Sequence, residues 1–172
     1  MFFDEEMILD LRMHVLSKYV DKFIINESSY YHSGKPKKLV FDINKYSKFK
    51  DKIIYNVIDK QPSNIETIHD SDNDKTDTRG QKLVNNSNKR EHYQREMIGN
   101  SLDEAGADDI ILGSDVDEIP NLENLDLKRI NKQLIIFKQK FCFYKFNLLY
   151  DEIPWYGTRA CKKKNLISLQ WL

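Results

Sequence analysis

The sequence predicts an α/β fold, a sheet with helices packed on it. Two observations carry that prediction. Apolar residues recur at helical spacing in some segments and in short unbroken runs in others, and the two kinds of segment alternate along the chain with short polar turns between them. At 172 residues the chain is read as one domain, residues 1–172, large enough to bury about 70% of the surface that its unfolded form exposes.

The first element is an amphipathic helix over residues 5–20, with Ile8, Leu11, Val15, Leu16 and Tyr19 at helical spacing. A strand follows at 22–27 around Phe23, Ile24 and Ile25, then a loop at 28–38 with Gly34 and Pro36, and a second strand at 52–59 carrying Ile53, Ile54, Val57 and Ile58. Residues 61–88 form a long polar stretch that reads as a flexible surface loop. Asn88 then caps a helix with Glu91 three residues on, Tyr93, Met97, Ile98 and Leu102 give its buried stripe, and Gly106 ends it. Ile110, Ile111 and Leu112 make a third strand. A short helical stretch is expected from Pro120 to Ile130, and one or two strands within 134–150, where Phe141, Phe143, Tyr144 and Phe146 read as core. Residues 151–161 read as a loop bearing two large aromatics, an arginine and two carboxylates.

Composition narrows the function classes. Lys plus Arg and Asp plus Glu stand at 27 each, so a net charge of zero gives no electrostatic case for a nucleic-acid or membrane partner. Cys142 and Cys161 alone make no disulfide framework and no metal-ligand spacing, and reduced thiols are the default. No run of 18 apolar residues exists, and the N-terminus lacks the basic start of a signal peptide, so the chain reads as cytoplasmic with no direct membrane insertion.

The chemistry concentrates where the third strand ends. Ser114, Asp115, Asp117 and Glu118 follow the apolar run and Pro120 stops it; if the chain stays extended, Asp115 and Asp117 leave the same face. Two carboxylates converging there form a hard-oxygen site for Mg²⁺ or Mn²⁺, whose open positions a nucleotide diphosphate can fill. A bare Asp-x-Asp is more often a solvated turn, but the longer acidic string repels itself unless a cation or basic partner is present. Arg90 and Arg95 on the second helix have two readings, a solvated helix face or a pairing with those carboxylates or with ligand phosphate. Trp155 likewise suits a sugar face or an anchoring place in the core, with Tyr156 and Arg159 beside it. Asp70, Asp72 and Asp74 imitate a calcium loop, but Lys75 stands where glycine is needed and Gln81 where the bidentate glutamate belongs. An aspartate-based phosphatase would use a similar Asp-x-Asp, but Ile119 replaces its threonine and the motif lies far from the N-terminus.

An ordered set of strings gives a resemblance over nearly the whole chain. Phe2-Phe3-Asp4-Glu5, Leu9-Asp10-Leu11-Arg12, Val20 through Ser28, Ser33-Gly34-Lys35-Pro36-Lys37, Asp51-Lys52-Ile53-Ile54, Arg90-Glu91-His92-Tyr93-Gln94-Arg95, Ser114 through Pro120 and Trp155-Tyr156-Gly157-Thr158-Arg159 resemble glycosyltransferase family 17. That is the family of the bisecting β-1,4-mannosyl-glycoprotein N-acetylglucosaminyltransferase, whose eukaryotic members are Golgi membrane-anchored. The resemblance implies a GT-A-like nucleotide-diphospho-sugar transferase fold, a Rossmann-like mixed sheet flanked by helices. It further implies inverting transfer of N-acetylglucosamine from UDP-N-acetylglucosamine or a related UDP-sugar to a glycan acceptor, with Mn²⁺ or Mg²⁺ as cofactor. By that carry-over Asp115 and Asp117 match the DxD pair that engages the ribose and the metal-bridged diphosphate, Arg90 and Arg95 serve the donor, and Trp155, Tyr156 and Arg159 serve the substrate. Glu118 is the nearest acid able to act as the catalytic base, with tying down a backbone turn or an arginine as its other reading.

Family members usually start with a strand ahead of the segment at Met1 and continue past the one matching Leu169-Gln170-Trp171-Leu172. An incomplete fold is therefore expected, with weak nucleotide binding and little transfer by these residues, and a non-catalytic nucleotide-sugar-binding remnant is the alternative reading.

Overall fold

The computed structural model describes residues 1–72, 78–129, 132–145 and 147–172, with Lys128 described by its backbone alone. The chain forms two compact units, Met1–Asp4 with Lys22–Ser101 and Glu5–Asp21 with Leu102–Leu172. The fold is α/β, and its described strands form two sheets, one parallel and one antiparallel.

In the first unit, β1 (Phe23–Ser28) and β2 (Ile53–Ile58) pair in parallel, from Phe23 opposite Ile53 to Ser28 opposite Ile58. Parallel neighbours need a long crossover. Here it ends in a 3-10 segment, Ile43–Lys52, whose first turn is capped by the Asp42 carboxylate accepting from the Asn44 N–H at 2.9 Å. Phe2 extends the sheet beyond β1 by donating its N–H to the Asn26 carbonyl at 2.8 Å. The core gathers Phe2, Phe23, Ile25, Tyr46, Phe49 and Ile58, with the Phe41 ring stacked on Tyr46 and Tyr55 and meeting Phe2 edge-on.

A carboxylate sits inside this apolar cluster. Glu27 is fully buried on the strand face of Phe23 and Ile25. It accepts from the Lys37 ammonium, the Val40 N–H at 2.8 Å, the Phe41 N–H at 3.1 Å and the Tyr55 hydroxyl at 2.8 Å. One side chain thereby ties the loop after β1 back onto β1 and β2. The Tyr55 hydroxyl is pushed well above the ordinary phenol range by burial and by that carboxylate.

The second helix corrects two sequence expectations. α2 runs Thr78–Glu96, so it starts ten residues before Asn88, inside the segment read as a loop, and passes into a 3-10 turn, Met97–Ser101, well before Gly106. Its buried stripe is Asn86, Arg90 and Gln94, four residues apart and polar, whereas Tyr93, Met97 and Ile98 are half-buried and Leu102 lies in the other unit. Periodicity rules look for apolar residues and pass over such a stripe. Burial is tolerated because each group is paired: Asn86 exchanges two hydrogen bonds with the Glu66 backbone, each of 2.8 Å, and Gln94 Oε1 meets His32 Nε2 at 3.3 Å.

In the second unit, α1 (Glu6–Leu16) accompanies an antiparallel sheet of β3 (Ile110–Gly113), β4 (Ile135–Cys142) and β5 (Leu149–Lys162), in the order β3-β5-β4. Residues 151–161, expected as a loop, are thus the body of the central strand. Pro154, which cannot donate to a ladder, sits where residues 139–141 of β4 face residues 150–155 of β5, an irregularity that absorbs it. The inner half of β5 is flanked on both sides and buries Thr158, Ala160 and Cys161; the outer half pairs with β4 alone and is exposed. For that reason Phe143 and Tyr144 are exposed, Tyr144 at 90%, rather than core residues. α1 buries Leu9, Met13 and Leu16, leaving Leu11 and Val15 exposed, so its inward face is rotated from the one read in the sequence. Among its described residues the stretch after Pro120 holds a 3-10 turn at Leu127–Arg129; Ile130 and Phe146 lie outside the described residues. No helix among the described residues is long and apolar enough to cross a membrane.

Burial alone would raise the Glu27 pKa, but Lys37 and the other donors outweigh it and hold the carboxyl below its ordinary range. A carboxyl depressed in the folded state contributes stability that is present above its unfolded pKa of about 4.3 and lost as pH falls through the lower folded value. Glu27→Gln is expected to cost about 3 kcal/mol at neutral pH and to reduce the loss of stability on acidification. Urea unfolding at a series of pH values reads both, and an unchanged acid limb would count against the assignment.

Candidate active site

β3 delivers the acidic string and stops at Gly113. Residues 115–118 then turn tightly, the Glu118 N–H donating to the Asp115 carbonyl at 3.1 Å. Asp115 and Asp117 therefore do not sit at alternate positions of an extended strand, as expected, but on a turn, and both are exposed. The cause lies in what grips the backbone. Arg12, on α1, donates through Nη1 to the carbonyls of Asp115 at 3.0 Å and Glu118 at 2.8 Å, and through Nη2 to the Ser114 hydroxyl. Burial lowers the Arg12 pKa, and the nearby charges of Glu118, Asp115 and Asp117 act against that shift.

Arg12 thus supplies the basic partner that clustered carboxylates need. Nothing in sequence spacing links it to the turn, since it lies more than a hundred residues upstream; its signals are its place in the string Leu9-Asp10-Leu11-Arg12 and a charge on the helix face of Leu9, Met13 and Leu16.

Glu118 is the other clamp. Its Oε2 accepts from the Asp115 N–H at 3.0 Å and its Oε1 from the Trp155 indole N–H at 2.9 Å, so the carboxylate ties down a backbone turn and links it to β5. The Thr158 hydroxyl adds a bond to the Glu118 carbonyl at 3.1 Å, and the Thr158 N–H donates to Gln139 Oε1 at 2.7 Å. Gly157 makes this closeness possible: a Cβ there would lie 2.5 Å from Gln139 Oε1 and 2.7 Å from Glu118 Oε1.

Trp155 stacks on Phe141, centroids 5.0 Å apart with planes 16° apart, and remains 41% exposed, so it is neither a core anchor nor a free loop residue. Tyr156 is 53% exposed but, as the next residue of a strand, leaves the opposite face of the sheet. Arg159 donates from Nη1 to the Leu172 carbonyl at 3.1 Å.

Arg90 and Arg95 belong to the first unit. Arg90 is buried; its Nε donates to Gln61 Oε1 at 2.8 Å and its Nη1 to the His32 carbonyl at 3.0 Å, and burial lowers its pKa. Gly34, at φ +86°, packs so closely on it that a Cβ would lie 2.5 Å from Nη2. Arg95 Nη2 lies 3.5 Å from Glu91 Oε1 one helical turn away. In the calcium-like string, Asp72 takes both its oxygens to Lys82, each at 2.8 Å, and accepts from the His69 N–H at 2.8 Å, and these bonds, led by Lys82, lower its pKa. Asp74 and Lys75 of that string lie outside the described residues.

Among the described residues no three His, Cys, Asp or Glu side chains form a metal-holding group. The acidic turn therefore offers no closed cage. Two exposed carboxylates do fit a Mg²⁺ or Mn²⁺ ion of the kind that takes one or two carboxylates and completes its shell with water and phosphate.

Gly157→Ala would push Glu118 and Gln139 off the donors they serve. An expected loss of about 1–2 kcal/mol in denaturant unfolding, with a change in tryptophan emission as the Trp155 N–H loses its acceptor, checks this packing. Parent-like values for both would remove it.

The sequence profile of glycosyltransferase family 17 matches residues 1–166. No curated protein and no solved structure matches the chain. With nearly the whole chain matched, the protein belongs to glycosyltransferase family 17.

Proposed function

We propose that this family 17 protein transfers N-acetylglucosamine, or a related sugar, from a UDP-sugar to a glycan acceptor with inversion at the anomeric carbon. The observation that supports it best is the acidic turn after β3, where Asp115 and Asp117 expose their carboxylates from a backbone gripped by Arg12 and Glu118. Asp115 and Asp117 would hold a Mn²⁺ or Mg²⁺ ion, which when bound offsets negative charge on a departing diphosphate.

The remaining roles fall to side chains. Trp155 has its indole N–H fixed by Glu118 and its ring backed by Phe141, which orients an exposed aromatic surface for the apolar face of a sugar. Tyr156, on the other face of β5, would meet a different part of a glycan, and Arg159 would orient hydroxyl groups. Glu118 is the acid offered to the acceptor proton. Each oxygen of a carboxylate can accept twice, so its bonds to Asp115 and Trp155 leave that capacity in place.

A second reading, a domain that binds nucleotide sugar without turnover, is favoured by the same pair of bonds, which are those of a carboxylate holding structure together. Hydrolysis or transfer of a UDP-sugar separates the two. Both readings require donor binding: Mn²⁺ with UDP is expected to raise the melting temperature, by about 2.7 kcal/mol of stabilisation at one hundred times Kd, and either alone should do less. Asp117→Asn should abolish the joint effect, and an unchanged shift in that variant would mean that the site is misassigned.

A further inference from the structure

We propose that Arg12 is the positioning residue of the acidic turn, the group that presents the Asp115 and Asp117 carboxylates to a metal-bound nucleotide diphosphate. This rests on the donor-site reading above and adds to it a residue from a distant part of the chain.

The argument is geometric. Arg12 fixes the direction in which the carbonyls of the turn face. Its planar fork takes the carbonyls of Asp115 and Glu118 on one nitrogen and the Ser114 hydroxyl on the other, so three points along residues 114–118 are fixed by one rigid group. The fork springs from a packed helix, since Leu9, Met13 and Leu16 on its side of α1 are buried, and its own hydrogen bonds hold it against the turn. The Glu118 carboxylate accepts from the Asp115 N–H, and the Thr158 hydroxyl donates to the Glu118 carbonyl that Arg12 also takes, so the backbone of the turn is held at both its ends while Asp115 and Asp117 stay exposed. Holding carboxylates in place before the ligand arrives removes an ordering cost from binding.

Geometry also separates Arg12 from a simple counter-charge. Lysine would keep the positive charge but lose the fork, so Arg12→Lys distinguishes placement from neutralisation. Electron paramagnetic resonance of free Mn²⁺, titrated with UDP into the full chain well below the melting temperature and compared with the same titration without protein, reads the metal taken up by the chain. Arg12→Lys is expected to weaken Mn²⁺ binding about tenfold or more, and Ser114→Ala, which removes one partner of the fork and leaves the packing intact, about fivefold. In the double variant Arg12→Lys with Asp117→Asn, the lysine should weaken binding by a smaller factor than it does in the parent, because only Asp115 is left to be misplaced. Parent-like affinity in Arg12→Lys and Ser114→Ala, or additive losses in the double variant, would overturn the positioning role while leaving the donor site standing. A parent chain that binds no Mn²⁺ with UDP would instead overturn the donor site, and this inference with it.

Discussion

One guanidinium decides what the acidic turn can be. Ser114, Asp115, Asp117 and Glu118 bring three negative charges into five residues, an arrangement that costs energy in any compact structure without a cation. Arg12 provides that cation and more than its charge, because its two nitrogens grip backbone carbonyls and a hydroxyl rather than the carboxylates themselves. Asp115 and Asp117 are exposed on the turn so held.

The same principle, a polar group placed where several backbone donors or acceptors converge, organises the other unit. Glu27 lies among aromatic rings and is tolerated because ammonium, hydroxyl and two backbone N–H groups all point at it. Asn86, Arg90 and Gln94 on α2 follow the same rule, each with a defined partner. Such interiors gain little from burial compared with an apolar core, but they fix loops that hydrophobic contact alone would leave free to slide. The loop after β1 is held in this way by Glu27 on one side and, through His32 and Gly34, by Arg90 on the other.

On β5 the consequence is a graded strand. Its inner half is covered and carries Thr158, Ala160 and Cys161 into the core, while its outer half keeps Trp155 and Tyr156 at the surface on opposite faces. Trp155 is the junction, since its indole N–H reaches Glu118 and its ring leans on Phe141. A residue so placed can serve a ligand without the entropy loss of a free surface side chain.

The sequence by itself determined the apolar strands β1, β2 and β3, the presence of a helix ahead of β1, the position of the acidic string and, through its ordered motifs, the family. These are local properties, carried by runs of Ile and Leu and by short strings whose order survives in one dimension. It misjudged what depends on partners. α2 begins earlier than its apolar spacing indicates because its buried residues are polar, α1 buries Leu9, Met13 and Leu16 rather than Leu11 and Val15, and residues 151–161, which read as a loop, form the body of β5. Only the tertiary structure could decide that Arg12 and the Asp115 carbonyl meet, or that Glu118 joins a turn to Trp155. Both bonds link residues that are distant along the chain, and their existence depends on packing that no local pattern encodes.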